Sequence, residues 1–339
     1  MEILYVFLQG IYSIVLCLTV FVLIHFLSSN ITQKDGKEPP GPTPLPMFGN
    51  LLQLDLKRIH VTLLKLSKKF GSIFTIYLGT KKVVVLVGYN AVKEALVDYA
   101  EVFGERDPTP IMDELVRGQG IIWANDDTWK EMRRFSMMNL KDFGMGKTEF
   151  EDKITEECHY LMEAFKQFKE KIREELSRVM GDHQVQFKDR TELPFTNAVI
   201  HETQRLTAIA ALGLPHRTSQ DITFRGHFIK KGTAVYPFLF SVLSDESEWE
   251  KPYTFYPEHF LDKDGKFIQR DAFMVFSAGR RICLGASLAR MELFIFFTTL
   301  LQHFRITLPP GVSEDELLLS PSDSLILSPS NVRLCAVPL

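Results

Sequence analysis

One cysteine stands out because of the residues that surround it. Cys283 lies in the decapeptide Phe-Ser-Ala-Gly-Arg-Arg-Ile-Cys-Leu-Gly, which runs from Phe276 to Gly285. Gly279 and Gly285 let the backbone bend and approach the sulfur, and Arg281 places a cation two residues before it. An apolar helical pattern follows, and the positive end of such a helix favours thiolate over thiol. This frame suits a thiolate bound to haem iron, with Arg281 able to pair with a haem carboxylate.

The decapeptide resembles the haem-ligand loop of the cytochrome P-450 monooxygenases, whose pattern is Phe-x-x-Gly-x-Arg-x-Cys-x-Gly. All five specified residue types stand at the right spacing. The resemblance implies a thiolate-ligated haem (iron protoporphyrin) with Cys283 as its metal ligand. The other four residues of the pattern would belong to the haem site: Phe276, Gly279, Arg281 and Gly285. The ordinary alternative for a single cysteine is a buried side chain near a turn.

The composition fits a chain with a sizeable apolar core. Of its 339 residues 45% are hydrophobic and 12% are aromatic, and this length allows one large domain or two ordinary ones. The net charge of −3 provides no global basic field, so we expect no nucleic-acid partner. The cysteines show neither paired spacing nor a Cys-x-x-Cys motif, which argues against a disulfide framework or a zinc site. They are Cys17, Cys158, Cys283 and Cys335.

Residues 3–27 are almost continuously apolar and contain no formal charge. About 20 such residues span a bilayer as a helix, so we predict a transmembrane anchor in residues 1–28. A cleaved signal peptide is the alternative, but the chain opens with Glu2 where a basic residue would be expected, and it lacks a clear cleavage site. Lys34 and Lys37 follow the apolar run, which places the main domain in the cytosol.

A proline-rich segment separates the predicted anchor from the rest of the chain. Residues 39–46 read Pro-Pro-Gly-Pro-Thr-Pro-Leu-Pro, and proline fixes φ and removes backbone donors. We therefore predict a stiff linker over residues 29–50, although a proline-rich stretch can also serve as the ligand of another domain. Residues 51–339 would then form the cytochrome P-450 domain.

Helical patterns outnumber strand patterns in that domain, which predicts a mainly α fold with small β-sheets, an α+β class. A hairpin is expected over residues 72–87, short strands over 222–240, and two more near 325 and 332. Asn90 is the predicted N-cap of a helix that ends near Tyr99. Further helices are predicted over residues 63–70, 147–169, 169–180, 193–206 and 284–304, and from residue 126 or 127.

Four residues outside the decapeptide are candidates for contact with the haem carboxylates. Trp129 and Arg133 are four apart on one helix face, as in a family pair that reaches a haem propionate. The alternative is an ordinary surface helix. The resemblance also implies that Arg106 faces a propionate and that His216 donates a hydrogen bond to one. An exposed or packing role remains open for both.

Glu202 and Arg205 are three residues apart in the sequence Glu-Thr-Gln-Arg. An isolated pair of this kind is usually solvated and contributes little to stability. The resemblance implies instead a buried structural pair behind the haem, joined by a third residue from a Pro-x-x-Phe element. His259, in Pro-Glu-His-Phe, matches that residue. The role assigned to all three is architectural.

Three apolar stretches are candidates for contact with an oily substrate, although core packing explains each equally well. They are residues 118–123, 212–214 and 325–327.

The resemblance covers nearly the whole chain, yet the chain is about a third shorter than the family norm. The order of segments matches the first part of a microsomal member up to about Phe168, and a much later part from about Glu170. The junction therefore lies near residues 168–170. The stretch between them in the family includes the helix over the distal haem face, with the signature Ala/Gly-Gly-x-Asp/Glu-Thr, and no such signature occurs here.

Loss of that helix has two expected consequences. It removes the positioned donor that delivers protons to oxygen, so oxygen chemistry should fall steeply. It also removes one wall of the haem pocket and exposes apolar surface, so we expect weak haem retention.

Three functions follow from the resemblance. The first is a membrane-bound monooxygenase in the endoplasmic reticulum, which oxidises xenobiotics, fatty acids or steroids with electrons from NADPH through NADPH-cytochrome reductase. The second is a splice product or gene-model fragment that acts only as a membrane-anchored haem or reductase-binding protein. The third is a haem-thiolate isomerase or dehydratase, which needs no activation of O₂.

Overall fold

The computed structural model shows a mainly helical chain with small β-sheets. Nearly all of the predicted helix 147–169 and both predicted strands near 325 and 332 lie outside the described part of the chain. The described residues are 5, 7, 9–21, 38–142, 169–180, 183–307 and 335–338.

The N-terminal residues that the structure describes, between positions 5 and 21, are helical. Across the described part of the chain, no helix is both long enough and apolar enough to cross a membrane. The predicted anchor also includes residues 22–28, which lie outside the described residues, so the anchor stays a prediction.

The helices agree with the sequence patterns to within a few residues wherever both can be compared. Pro194 opens one of them at its first position, where a fixed φ and a missing N–H cause no loss. Gly71 ends another with a positive φ of 92°. After the N-terminal helical residues, the described α-helices are α1 (Ile59–Phe70), α2 (Tyr89–Lys93), α3 (Pro110–Val116), α4 (Asp126–Asp142), α5 (Lys169–Val179), α6 (Pro194–Thr207), α7 (Leu239–Leu243) and α8 (Ala286–His303).

The largest described sheet joins segments that are far apart in the sequence. Its strands are β1 (Ile73–Leu78), β2 (Lys81–Leu86), β3 (Glu105–Arg106), β4 (His216–Arg217) and β7 (Ala234–Pro237). They lie in the order β1-β2-β7-β4-β3. The predicted hairpin is β1 and β2, with Ile73 opposite Leu86, and β7 then pairs in parallel with β2. Because β3 pairs with β4 and β4 with β7, the sheet brings Arg106 beside His216.

Two smaller sheets complete the described β-structure, and each is an antiparallel pair. The strands β5 (Ile222–Phe224) and β6 (His227–Ile229) form a tight hairpin. The strands β8 (Phe304–Thr307) and β9 (Cys335–Pro338) tie the end of α8 to the end of the chain.

Helices α5, α6 and α8 share one apolar core, to which they contribute Ile172, Val199 and Phe294 respectively. Complete burial of each such side chain contributes about 1.5–3 kcal/mol. A polar contact fixes the register of α5 on α6, because the buried Glu175 carboxylate accepts from the Thr196 N–H at 2.8 Å and from its hydroxyl at 2.6 Å. This carboxylate caps the start of α6.

The prediction that Asn90 caps α2 is wrong. The helix begins one residue earlier, at Tyr89, and its first N–H groups use acceptors from a distant segment. The Gly88 N–H donates to the Ser241 hydroxyl and the Tyr89 N–H to the Asp245 carboxylate, each at 2.9 Å. A local pattern cannot reveal acceptors that lie about 150 residues away along the chain.

Candidate functional site

Cys283 lies between a 3₁₀ turn, Gly279–Arg281, and the first residue of α8. Its backbone N–H donates to the oxygen of Phe276 at 2.9 Å, which closes the loop into a compact turn. The thiol is exposed. Among the described residues no N–H group donates to the sulfur, so the expected approach of N–H groups to it is not observed.

The two glycines of the loop differ in what surrounds them. Gly279 has a φ of +67° and packs against a π-helical turn, Glu94–Asp98, that continues from α2. A Cβ at position 279 would overlap the backbone oxygen of Leu96, so close approach and backbone conformation both require glycine there. Gly285 has open space around the position of its missing Cβ.

Two arginines beside this loop are almost completely buried. Arg106 in β3 is 5% exposed and Arg281 in the cysteine loop is 6% exposed. Arg281 donates through Nε to the Gly104 oxygen at 2.7 Å and through Nη2 to the Ala124 oxygen at 2.8 Å. Its Nη1 and the Nε of Arg106 are buried and lack a hydrogen-bond partner in the described part of the chain.

Neither arginine has a directly paired anion in the described part of the chain, although the charge of Glu105 acts on Arg281 and opposes the fall of its pKa. Neighbouring Arg280 pairs with Glu101, but within the described residues neither Arg106 nor Arg281 forms an ion pair. Burial lowers the pKa of Arg106 to about 10. Burial and the nearby charge of Arg106 lower the pKa of Arg281 to about 9. A buried, unpaired positive charge is costly, so this cluster is electrostatically incomplete and suited to an anion.

His216 supports Arg106 from the adjacent strand. Its Nδ1 lies 2.6 Å from the Phe103 oxygen, and because a carbonyl only accepts, the ring proton is on Nδ1. Its Nε2 must then accept from Arg106 Nη1, also at 2.6 Å. Burial and the charges of Arg106 and Arg281 lower the pKa of His216 to about 3. Both ring nitrogens are thus engaged with Phe103 and Arg106 in this structure, and the donation of a hydrogen bond to a haem carboxylate by His216 stays a prediction.

Helix α4 brings Trp129 and Arg133 to the same place. The Trp129 ring is buried and stacks under the Arg281 guanidinium, whose central carbon lies 3.9 Å from the ring centroid. Arg133 donates through Nη1 to the Ile282 oxygen at 3.1 Å, directly before the cysteine. Burial lowers the pKa of Arg133, while its proximity to Cys283 acts in the opposite direction. The helix therefore lies against the cysteine loop.

Asn125, which directly precedes α4, was not predicted as a site residue. Its Oδ1 accepts from the Arg106 backbone N–H at 2.6 Å and from Arg281 Nη2 at 3.0 Å. Its Nδ2 donates to the Arg106 oxygen at 3.0 Å. The sequence offers only the preference of asparagine for helix starts as a signal, and that signal does not point to arginines elsewhere in the chain.

The predicted architectural residues meet in a fully buried network. Glu202 receives two hydrogen bonds from Arg205, at 2.7 and 2.8 Å, and lies 3.3 Å from His259 Nδ1. The Lys251 N–H donates to His259 Nε2, so the neutral ring carries its proton on Nδ1 and donates it to Glu202. Burial acts to raise the pKa of Glu202, but the hydrogen bonds from Arg205 and His259 outweigh it and lower the pKa below its ordinary value.

The three stretches predicted to contact substrate differ in burial where the structure describes them. Residues 118–123 form an irregular, mostly exposed loop. Leu212 is buried in the core beside the largest sheet, whereas Leu214 is 42% exposed. Residues 325–327 lie outside the described residues.

The residues present fit a haem. The exposed Cys283 thiol is available to a metal, and the orphaned N–H groups of Arg106 and Arg281 are suited to the carboxylates of a porphyrin. Arginines lie beside the cysteine loop, and a mainly helical fold with small sheets holds them there. This arrangement fits a haem-thiolate protein.

Comparison with known proteins identifies the family. The family model described as Cytochrome P450 matches residues 39–170 and 165–336. Cytochrome P450 2K1 of Oncorhynchus mykiss is 39% identical over 480 residues, covering 94% of this chain and 95% of the relative. Cytochrome P450 2G1 of Rattus norvegicus is 31% identical, covering 90% and 94%. Cytochrome P450 2C21 of Canis lupus familiaris is 31% identical, covering 96% and 100%.

The chain belongs to the cytochrome P450 family, and its relatives are vertebrate family-2 members. This confirms the resemblance that the cysteine loop predicts. By family it is a monooxygenase of hydrophobic substrates, with a thiolate-ligated haem as cofactor and electrons supplied by NADPH through a reductase.

Proposed function

We propose that this chain is a haem-thiolate protein of the endoplasmic reticulum membrane, with a single-pass anchor and its main domain in the cytosol. The activity that its family membership implies is the oxidation of lipophilic molecules such as xenobiotics, fatty acids or steroids, with NADPH-cytochrome reductase as the electron donor. The observation that carries the proposal is the pair of buried, unneutralised arginines beside the Cys283 loop.

Each residue of the site has a proposed task. Cys283 holds the iron, and a thiolate-ligated haem supplies the activation of O₂. Arg106 and Arg281 hold the haem carboxylates, and His216 and Trp129 keep the two guanidinium groups in place by the contacts described above. Arg133 braces the backbone directly before the cysteine.

We also propose that an internal block is missing near residues 168–170 and that the chain is impaired as an enzyme. The family model matches in two pieces that meet at residues 165–170. The alignment with the trout relative extends over 480 residues although this chain has 339, so that relative has positions without a counterpart here. The missing block would contain the distal helix, whose signature the sequence lacks.

The second candidate function is therefore a membrane-anchored protein that binds haem or reductase without turnover. The missing distal-helix signature favours this function, because a positioned proton donor is needed for productive oxygen chemistry. Substrate oxidation by the full chain with purified reductase and NADPH separates the two candidates. We expect little or no product, and turnover comparable to that of the rat relative would contradict the impairment.

The haem site itself is tested by spectroscopy of the full chain and of Cys283→Ser. We expect the reduced, carbon-monoxide-bound protein to give a thiolate-type Soret band of low intensity, because one wall of the haem pocket is missing. Cys283→Ser should lose the band, while the control Cys335→Ser should keep it. A full-intensity band in the wild-type chain would contradict weak haem retention, and an unchanged spectrum in Cys283→Ser would contradict the thiolate ligand.

A further inference from the structure

Asn125 connects the two buried arginines of the site. Its side-chain amide forms a two-way contact with the backbone of Arg106, accepting from the N–H at 2.6 Å and donating to the oxygen at 3.0 Å. The same Oδ1 accepts from Arg281 Nη2 at 3.0 Å. One amide thus fixes a β3 residue relative to a residue of the cysteine loop.

This use of the side chain differs from ordinary helix capping. At a typical helix start the capping side chain accepts from an N–H of the first turn. The backbone oxygen of Asn125 does accept from the Trp129 N–H at 3.1 Å, but its side-chain oxygen is occupied by Arg106 and Arg281. The Asn125 side chain therefore binds the two arginines, while its backbone oxygen accepts the first hydrogen bond of α4.

The geometry also determines which arginine N–H groups remain available. Arg281 Nη2 and Nε are bound to Asn125, Ala124 and Gly104, which leaves Nη1 buried without a partner. The Arg106 Nη1 contacts His216 Nε2 at 2.6 Å and the Leu214 oxygen at 3.4 Å, and its Nε is buried without a partner in the described part of the chain. Without Asn125, Arg281 loses an acceptor and its guanidinium gains freedom to turn.

We propose that Asn125 is a positioning residue for cofactor binding, which holds Arg106 and Arg281 so that their unpartnered N–H groups receive the two carboxylates of the porphyrin. The inference rests on the proposed haem site, and it adds a residue that acts through Arg106 and Arg281. Its effect should be specific to the carboxylates, since the described hydrogen bonds of the Asn125 side chain go to Arg106 and Arg281.

The test compares the affinities of the full-length chain in detergent for iron protoporphyrin and for its dimethyl ester, by absorbance titration. The ester keeps the ring and the metal but has no carboxylate charge. We expect wild type to prefer the free acid at least tenfold, as charge-assisted hydrogen bonds predict. Asn125→Ala should lower this preference about tenfold through weaker binding of the free acid, with affinity for the ester unchanged.

Two further variants separate positioning from folding. Asn125→Asp keeps the acceptor for both arginines, but it replaces the donor to the Arg106 oxygen with a carboxylate oxygen and neutralises the cluster, so the preference should fall with some loss of thermal stability. Asn139→Ala is the matched control, because that amide lies in the same helix and donates to the Phe135 oxygen. Asn139→Ala should prefer the free acid over the dimethyl ester as strongly as wild type does. If Asn125→Ala fails to fold, Asn125→Ser provides the same comparison without a new charge, because it keeps a shorter acceptor and loses the donor to the Arg106 oxygen, and the preference should again fall.

The outcomes distinguish the inference from the proposed function. A wild-type chain that binds neither porphyrin, or both equally, would overturn the assignment of the arginines to the carboxylates and this inference with it. A clear wild-type preference that persists in both Asn125 variants would overturn the inference alone. Equal loss of affinity for both porphyrins in the Asn125 variants would show a merely structural role and would also overturn it.

Discussion

Two histidines, His216 and His201, remain neutral because of the groups that surround their rings. His216 accepts from one arginine and donates to a carbonyl, so it remains neutral in the cationic cluster. His201 is neutral for a related reason. Its ring packs among Phe260, Phe267 and Phe273, and burial lowers its pKa to about 4 although its contact with the Asn197 oxygen acts in the opposite direction.

A pH dependence of stability follows from His201. Its folded pKa of about 4 lies below the unfolded value of about 6.5, so the unfolded chain binds more protons between these values. Its contribution to stability is complete above pH 6.5 and is lost as the pH falls towards 4. The nearby cations Arg190 and Arg290 also lower this pKa, and His201 should contribute about 1.4 kcal/mol per pH unit.

The measurement is the free energy of unfolding in urea at several pH values between 7 and 4.5. His201→Phe, placed among three phenylalanine rings, should show a shallower fall with decreasing pH than wild type. Phe267→Leu is the control, because it disturbs the same ring cluster without removing a titratable group and should leave the slope unchanged. Parallel curves for wild type and His201→Phe would contradict the prediction.

At the scale of elements, the cysteine loop depends on a π-helical turn. Glu94–Asp98 widens the end of α2, and the backbone of Gly279 packs directly against the Leu96 oxygen. Single π turns of this kind often occur near functional sites. The position of Cys283 is thus set by backbone contacts of a distant helix as well as by its own sequence.

Gly279→Ala should destabilise the protein more than an equivalent change elsewhere. A left-handed φ costs a non-glycine residue about 1–2 kcal/mol, and the overlap with Leu96 should bring the total to about 3 kcal/mol or more. Gly265→Ala is a matched control, because Gly265 has a φ of +74° with open space around its Cβ position. Midpoints of urea unfolding at constant slope give both values. Equal losses in the two variants would show that the close approach is unimportant.

At the scale of the whole molecule, one buried ion pair joins several segments. Glu202 and Arg205 lie on α6, and Arg205 also donates to the Leu243 and Pro252 oxygens at 2.6 and 2.8 Å. His259 adds the 3₁₀ segment Pro257–Phe260 to the same network. The pair therefore fixes the long irregular stretch that leads towards the cysteine loop.

Glu202→Gln should cost about 3–5 kcal/mol of unfolding free energy, because it leaves the buried Arg205 charge without its counter-ion. Glu94→Gln is the control, since Glu94 pairs with Arg225 at 2.6 Å but both side chains are about one-third exposed. That pair should contribute no more than about 1 kcal/mol. Chemical denaturation measures both, and a loss below 1 kcal/mol for Glu202→Gln would contradict the architectural role.

Local patterns predicted much of the fold. The hairpin of β1 and β2, the helices α1, α5, α6 and α8, and the start of α8 just after the cysteine all appear near their predicted positions. These features depend on residues close together in the chain. The N-cap of α2 was predicted wrongly and the parallel pairing of β2 with β7 was not predicted, because the partners in each case lie about 150 residues apart.

The residues around Cys283 were enough to identify the family, because their spacing is a local pattern that a thiolate-ligated haem requires. The resemblance also predicted that Arg106, Arg281 and His216 belong to the haem site. Only the tertiary structure decided that His216 accepts from Arg106, that Asn125 binds both arginines, and that two of their N–H groups have no partner. Those facts depend on how distant segments pack, because burial and hydrogen-bond geometry arise only when β3, β4, α4 and the cysteine loop come together.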